Sequence, residues 1–186
     1  MNTKLLEAFK KFLKEDQILV SKTDLKIYDT DATALFKNKA LGVLIARSAD
    51  DVQKIIQTIN WFNAEFNLEI SYLARGAGTG LSGGAIGDDN TIIISVAALN
   101  KIINIDHVNQ KALIETGLIN SHLTKKTKKF KLQFSPDPSS QDACTIGGNV
   151  AENAGGIHCY KHGVSADQVL GLEYVNDQGE ICYLGE

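Results

Sequence analysis

The sequence predicts a mixed α and β fold that contains a small parallel sheet. A strand–helix–strand pattern runs over residues 43–74, and Thr91–Val96 is a run of β-branched residues typical of a buried strand. Glycines are unevenly placed: six lie in Gly76–Gly87 and five in Gly147–Gly163, which together hold 11 of the 16 in the chain. Because glycine lets the backbone approach a ligand closely, two loops facing one bulky ligand are favoured over two tight surface turns.

Length and composition set the outer limits of the prediction. The chain has 186 residues, of which 44% are apolar, and a net charge of -3. One domain is the default at this length, although two small lobes are an alternative. The mildly acidic balance lacks the basic field of a nucleic-acid binder. The apolar stretch Ile92–Leu99 is far shorter than the roughly 20 residues that a membrane span needs.

The N-terminus and the cysteines indicate the compartment. Residues 1–16 carry charges throughout, which is unlike a secretory signal. Cys144, Cys159 and Cys182 form an odd set with no CxxC spacing, which disfavours a disulfide framework and a four-cysteine zinc site. We therefore expect reduced thiols in a cytoplasmic protein.

The elements of the N-terminal half follow from apolar periodicity. Residues 3–14 carry an apolar stripe at helical spacing, and Val43–Ala46 predicts a short buried strand. Ser48 then caps an amphipathic helix whose apolar positions recur up to Phe62. Ile70–Ala74 is the next strand, so the pattern predicts a right-handed crossover between parallel strands.

The C-terminal half is predicted to contain strands, one long helix and a hairpin. The turn at Asn176–Gly179, with its DQG sequence, predicts the hairpin. The lysine-rich run at 125–131 is interpreted as a solvated helix face rather than a nucleic-acid patch. The predicted elements are strands at Thr91–Val96, Lys101–Ile105 and Ala112–Thr116, a helix at about Leu118–Phe130, and hairpin strands at Val169–Val175 and Glu180–Leu184.

The first glycine-rich loop, RGAGTGLSGGA, begins at Arg75, which either helps to neutralise a phosphate or holds the strand end through an ion pair. Gly78–Gly83 formally satisfies the GxGxxG dinucleotide pattern, but Ala85–Asn90 leads into a strand and leaves no room for the helix that this pattern requires. A P-loop is excluded because the chain has no Gly-Lys pair. What remains is a loop whose backbone amides bind an anion, with the hydroxyls of Thr79 and Ser82 as further donors.

The second glycine-rich loop follows both prolines of the chain, Pro136 and Pro138, which stiffen an extended segment. A short helix is predicted over residues 147–153, with its N-terminal amides pointing at a ligand. Thr145 and Asn149 are the polar side chains best placed to orient that ligand.

Three segments together resemble one flavoprotein family: RGAGTGLSGGA, PDPSSQDACTIGGNVAENAGG and KHGVSADQVLGLEYVNDQGE. Over roughly residues 40–186 the chain is similar to the FAD-binding domain of the glycolate oxidase FAD-binding subunit and D-lactate dehydrogenase family, within the vanillyl-alcohol-oxidase (PCMH-type) group. The resemblance implies an α+β fold with FAD held between two α/β lobes, a small parallel-sheet lobe and a larger mixed-sheet lobe, incomplete at the C-terminus. It also implies a truncated FAD-binding domain at 41–186, without the substrate domain, and leaves residues 1–40 as a predicted N-terminal helical extension.

The same resemblance assigns cofactor-binding residues one by one. The first loop is implied to cradle the FAD diphosphate, the proline segment to line the cofactor cleft, and the second loop to pack along the flavin and ribityl chain. These residues are, in that order, Arg75, Gly76, Ala77, Gly78, Thr79, Gly80, Leu81 and Ser82; Pro136, Asp137, Ser139 and Ser140; and Thr145, Gly147, Gly148, Asn149, Ala154, Gly155 and Gly156.

Two further expectations concern covalent attachment and metal. Family members with covalent FAD carry a histidine in the first loop, and residues 75–85 contain none, so non-covalent FAD is expected. His158 and His162 have i, i+4 spacing, but adjacent glycines break a helix there, so no metal is expected. Cys144 matches a cysteine common in the family and is expected to be structural.

The resemblance implies an FAD-dependent 2-hydroxyacid dehydrogenase or oxidase that acts on glycolate or D-lactate by hydride transfer to the flavin. Electrons are expected to pass to a quinone or an iron–sulfur subunit, in the cytoplasm or at the inner face of the membrane. The substrate is expected to bind an absent C-terminal domain, which is also expected to supply the catalytic groups. This chain alone is therefore expected to be inactive, and its catalytic residues are unknown. The alternatives are a non-catalytic fragment or FAD-binding module and, ranked low, an NADPH-dependent reductase of the same fold.

Overall fold

A computed structural model describes residues 1–185, and Glu186, the end of the predicted FAD-binding domain, lies outside them. The chain forms two compact units. Unit 1 contains residues 1–75, residues 80–96 and the C-terminal residues from Gly171. Unit 2 contains Gly76–Thr79 and Ala97–Leu170. Each unit is built from helices and strands, in agreement with the predicted α+β class.

The sheet of unit 1 has four strands: β1 (Ile18–Leu19), β2 (Gly42–Ile45), β3 (Ser71–Arg75) and β4 (Thr91–Ser95). Their order is β1-β2-β4-β3, with β4 parallel to both β2 and β3, and with β1 antiparallel at one edge. All residues of β4 are buried, as expected for a parallel strand with a neighbour on each side. The predicted small parallel sheet is confirmed, and its antiparallel edge strand makes it a mixed sheet.

Three helices belong to unit 1: α1 (Thr3–Lys10), α2 (Lys22–Leu25) and α3 (Ala49–Phe66). Ser48 caps α3 as predicted, since its hydroxyl accepts from the Asp51 amide at 3.0 Å. Helix α1 is shorter than the predicted helix at 3–14, because the chain forms a turn after Lys10. The last apolar residues of the predicted stripe pack into the core from that turn and not from the helix.

The core of unit 1 lies on both faces of the sheet. One face is covered by α1 and α3, and the other by residues that precede β2, so residues 1–40 pack into the same unit as the strands. The division at residue 40 into an extension and a domain stays a prediction. The fully buried side chains include Leu5, Phe9, Val43, Leu44, Ile55, Ile59, Ile92 and Ile93.

The C-terminal hairpin of unit 1 pairs β7 (Gly171–Val175) with β8 (Ile181–Gly185) in an antiparallel register. Its turn is attached to α3, where the Gln57 side-chain amide donates to the carbonyl of Gly179 at 2.9 Å. The hairpin predicted around the DQG turn is therefore present, and each strand begins one or two residues later than expected.

Unit 2 contains one antiparallel strand pair, β5 (Ile102–Asp106) and β6 (Lys111–Ile114), and three short helices. The helices are α4 (Asn120–Thr127), α5 (Ile146–Ala151) and α6 (Cys159–His162). Helix α4 was predicted to begin near Leu118, but Ile119 pairs with Thr145 in an extended conformation. The small core of this unit is made by Leu118, Leu123 and Ile146.

No helix within residues 1–185 combines the length and the apolar character that crossing a bilayer requires. The three cysteines are free thiols.

We expect Ile59→Ala to lower the free energy of unfolding by about 2–5 kcal/mol, because it leaves a cavity in the core between α3 and the sheet. Glu65→Ala, at an exposed position on the same helix, should change that free energy by less than about 0.5 kcal/mol. Urea titration of the two variants measures the difference. Equal effects would contradict the packing of α3 through Ile59.

Candidate functional site

The two glycine-rich loops meet at Gly76 and Thr145, both of which belong to unit 2. A Cβ atom at Gly76 would overlap the Thr145 hydroxyl oxygen and lie 3.3 Å from its Cβ and Cγ2. Thr145 is 2% exposed and cannot move aside freely. Glycine at position 76 is therefore required for the close approach of its backbone to the Thr145 side chain.

The backbone amides at the start of this loop have no hydrogen-bond acceptor in the part of the chain that the structure describes. The N–H groups of Gly76–Thr79 donate to no acceptor within residues 1–185, and the same holds for Gly80 and Leu81. Gly78 has a φ of +68°, a left-handed conformation that favours glycine. A run of unpaired amides around a left-handed residue forms a concavity that can bind an anion.

Arg75, at the start of the loop, is 6% exposed. Its guanidinium donates to the carbonyl oxygens of Ala85 at 2.7 Å and Thr30 at 2.9 Å, with longer contacts to Ile27 and Tyr28 at 3.4 Å. Burial lowers the pKa of Arg75, although a guanidinium remains protonated in proteins. Both terminal nitrogens of Arg75 donate to carbonyl groups, which hold the strand end, so the predicted phosphate role stays a prediction.

Asp31 holds the far end of the same loop and was not found from the sequence. One of its carboxylate oxygens accepts from the Gly83 amide at 3.1 Å, and the other accepts from the hydroxyl of Thr33 at 2.7 Å and its amide at 2.9 Å. The Thr33 hydroxyl, more than the two amides, holds the pKa of Asp31 below its usual range. No local pattern in the sequence points to Gly83, which is 52 residues away.

Helix α5 begins at Thr145, whose hydroxyl accepts from the Gly148 amide at 3.2 Å. The amide of Ile146 donates to the carbonyl of Leu118, and that of Gly147 donates to the carbonyl of Thr116 at 2.7 Å. The prediction that these N-terminal amides point at a ligand is wrong, because each already has a protein acceptor.

Asn149 also has protein partners. Its side-chain oxygen accepts from the Asn120 amide group at 2.7 Å, and its own amide group lies 3.2 Å from the Cys144 sulfur. Asn120 in turn donates to the carbonyl of Pro136 at 2.9 Å. These side chains form a buried network that joins the proline segment to α5, and they place Cys144 in a structural position.

Asp137 fastens the proline segment to the glycine turn after α5. Its carboxylate lies 2.6 Å from Nδ1 of His158 and accepts from the His158 amide at 3.3 Å. A Cβ at Gly156 would overlap Asp137, so glycine is required there as well. The amides of Gly155, Gly156 and Ile157 donate to no acceptor within residues 1–185, which makes this turn a second set of free donors.

The remaining predicted residues shape the backbone around these groups. The carbonyl of Ser140 accepts from the amides of Ala143 and Cys144, both at 2.8 Å, while Ser139 is exposed. Ala154 connects the turn to the following helical segment, since its carbonyl accepts from the Ser165 hydroxyl at 2.7 Å. Thr79 is half-buried and Ser82 is exposed. Among residues 1–185 no cluster of His, Cys, Asp and Glu could hold a metal ion.

A glycine-rich loop with free backbone amides is typical of domains that bind anionic groups such as those of nucleotides, and a comparison with protein families identifies the class of this chain. Residues 40–185 match the FAD binding domain family. The chain therefore belongs to this family, and FAD is the cofactor of its fold.

Three curated relatives carry the resemblance across most of the chain. It is 33% identical over 183 residues to glycolate oxidase subunit GlcD of Escherichia coli K12, covering 98% of this chain and 36% of that protein. It is 32% identical over 182 residues to D-lactate dehydrogenase of Anaerostipes hadrus, covering 97% and 37%. It is 29% identical over 161 residues to D-2-hydroxyglutarate dehydrogenase of Xanthomonas citri pv. viticola, covering 87% and 33%. The chain thus spans about a third of the length of the curated relatives it matches.

Solved structures with the same fold confirm the predicted architecture. Alkyldihydroxyacetonephosphate synthase superposes with a TM-score of 0.84 at 21% identity, over 100% of this chain and 35% of that one. p-Cresol methylhydroxylase with substrate bound superposes with a TM-score of 0.79 at 20% identity, over 97% and 34%. At these identities the likeness concerns the fold alone, and it confirms the predicted PCMH-type fold.

The contact between the loops predicts energetic coupling between Gly76 and Thr145. Thr145→Ala should cost about 1 kcal/mol through the lost cap, and Gly76→Ala about 1–3 kcal/mol through overlap with the hydroxyl. The double variant should lose less free energy of unfolding than the two single variants lose together, because removal of the Thr145 hydroxyl relieves the overlap with the new Cβ at position 76. Urea titrations of the four proteins measure this coupling.

A matched control pairs Gly76→Ala with Ser48→Ala, which removes a helix cap in unit 1. This pair should be additive within about 0.5 kcal/mol. Additivity in the Gly76 and Thr145 pair as well would contradict the close approach.

Proposed function

We propose that this chain is the FAD-binding part of a flavin-dependent oxidoreductase that oxidises a 2-hydroxyacid such as glycolate or D-lactate. The observation that carries the proposal is the run of unpaired amides at Gly76–Thr79, adjoining Thr145, in a chain of the FAD binding domain family. The substrate class is supported by relatives named as glycolate oxidase, D-lactate dehydrogenase and D-2-hydroxyglutarate dehydrogenase.

The amides of Gly76–Leu81 would hold the FAD diphosphate in this proposal. Each hydrogen bond from an amide to a charged oxygen contributes roughly 1.5–3 kcal/mol, so several together are sufficient to anchor a diphosphate without a lysine or arginine. The Thr79 hydroxyl adds a donor within the same run. Arg75 donates to carbonyl groups of the protein, so stabilisation of the diphosphate charge is proposed to rest on amide dipoles.

The turn after α5 supplies the second set of contacts. The free amides of Gly155, Gly156 and Ile157 are proposed to bind polar atoms of the cofactor, and Asp137 holds this turn against the proline segment. The cofactor held there would supply a hydride acceptor for the α-carbon of the hydroxyacid, while the hydroxyl proton would go to a base that is proposed to lie outside this chain. Binding is proposed to be non-covalent, since residues 75–85 contain no histidine.

The whole protein's substrate site, catalytic groups and electron acceptor are proposed to lie outside this chain, which alone is proposed to be inactive. A quinone or an iron–sulfur subunit is proposed as acceptor, and one relative is named as a subunit of glycolate oxidase. The free thiols favour a cytoplasmic setting, including the inner face of the membrane.

A second candidate is an FAD-binding module or fragment without turnover. It is favoured by the observation that the chain spans about a third of its curated relatives. Both candidates predict FAD binding, and only the first predicts reduction of the flavin by substrate in the full-length protein.

Anaerobic addition of D-lactate or glycolate to the full-length protein tests the first candidate. We expect the visible flavin absorbance to be bleached, with L-lactate as the stereochemical control. Bleaching by none of the 2-hydroxyacids would remove the substrate assignment, and FAD binding that persists without bleaching would favour the module.

Two substitutions at Gly78 test the diphosphate cradle. Because φ is +68°, Gly78→Val should lower the stability of the apoprotein by more than about 1 kcal/mol, whereas Gly78→Asn should cost less, since asparagine tolerates this conformation. Both side chains would occupy the space of the diphosphate, so both variants should lose at least tenfold in FAD affinity. Titration of the full-length apoprotein with FAD, beside urea unfolding, separates the two effects, and retained affinity in both variants would count against the cradle.

A further inference from the structure

Two buried charged residues join the first glycine-rich loop to residues 27–33. Arg75 and Asp31 are 6% and 7% exposed, and both belong to unit 1 together with the groups that they bind. Buried charges require hydrogen-bonding partners. Most of the partners here are backbone groups, and they come from the loop and from residues 27–33.

Arg75 joins the two ends of the loop to each other and to residues 27–33. Its guanidinium donates to the carbonyl of Ala85, the last residue of the loop, at 2.7 Å and to that of Thr30 at 2.9 Å, and it lies 5.3 Å from the centre of the Tyr28 ring. A planar guanidinium can hold several acceptors in fixed directions at once, which a lysine ammonium cannot.

Asp31 anchors the returning end of the loop. Its carboxylate accepts from the Gly83 amide at 3.1 Å, and two bonds from Thr33 fix the orientation of that carboxylate. Hydrogen bonds to an ionised acceptor are stronger than neutral ones. The long-range bond to Gly83 is therefore a strong constraint on where the loop returns to unit 1.

The unpaired amides lie between these anchors. The run Gly76–Leu81 follows Arg75 and precedes Gly83, so both ends of the run are held by residues 27–33. A loop that is held in its binding conformation before the ligand arrives loses less conformational entropy on binding.

We propose that Asp31 and Arg75 are positioning residues for the FAD diphosphate, which hold the loop at 76–82 in its binding conformation from a segment that precedes the predicted FAD-binding domain. This inference rests on the proposed function. Direct binding is not their role, because the Arg75 donors are occupied by carbonyl groups and the Asp31 carboxylate has the same charge as a phosphate.

The test compares Asp31→Ala with Asp88→Ala in the full-length apoprotein. The Asp88 carboxylate also accepts from a backbone amide (Asn90, 3.1 Å) and a threonine hydroxyl (Thr91, 2.5 Å), but both bonds are within one local turn. We expect Asp31→Ala to raise the Kd for FAD at least tenfold and to speed amide hydrogen exchange at residues 76–83. Asp88→Ala should leave that Kd within twofold.

A Kd within twofold of the wild type for Asp31→Ala, or an equal rise for Asp88→Ala, would overturn the inference. If Asp31→Ala does not fold, Arg75→Lys takes its place, because it retains the charge and loses the planar donors. It should likewise raise the Kd for FAD at least tenfold and speed hydrogen exchange at residues 76–83, and a Kd within twofold of the wild type would overturn the inference. If the wild-type protein binds no FAD, the proposed function fails. Hydrogen exchange then decides the positioning role, which is overturned by unchanged exchange at residues 76–83.

Discussion

The contact between Gly76 and Thr145 constrains both glycine-rich loops at once. The Thr145 hydroxyl caps α5 by accepting from Gly148, so it cannot leave its position without exposing an unpaired amide. Gly76 must therefore lack a side chain, and the backbone that follows it emerges close to α5 with its amides unpaired. The proposed anion-binding role of the first loop depends on this contact.

The free donors of the candidate site come from loops rather than from a helix terminus. The first amides of α5 donate to carbonyl groups of Thr116 and Leu118 and to the Thr145 hydroxyl, so they cannot also bind a phosphate. Two glycines of the second loop, Gly147 and Gly156, are also required for close packing. A Cβ at Gly147 would overlap Thr116, and one at Gly156 would overlap Asp137.

Much of the fold could be predicted from local patterns. The buried run Thr91–Ser95 and the stripe of α3 are strong signals because apolar burial imposes a period of two or 3.6 residues on the sequence. The predicted ends of α1 and α4 differ from the observed ones, because the position of a helix end depends on tertiary contacts such as the pairing of Ile119 with Thr145. The candidate site was predicted as two glycine-rich segments, whereas Asp31 was missed because its partner Gly83 is distant in sequence.

The sequence by itself determined the parallel sheet and the two glycine-rich loops, because apolar periodicity and glycine spacing are local properties of the chain. The flavoprotein family followed from the resemblance of three of its motifs to that family, which the family comparison confirms. Only the tertiary structure decided which polar groups are free to bind a ligand. Arg75, Asn149 and the amides of α5 all have ligand-binding chemistry, and protein acceptors or donors occupy each of them. The physical reason is that a buried hydrogen-bonding group must find a partner, and the packed chain selects that partner from distant segments.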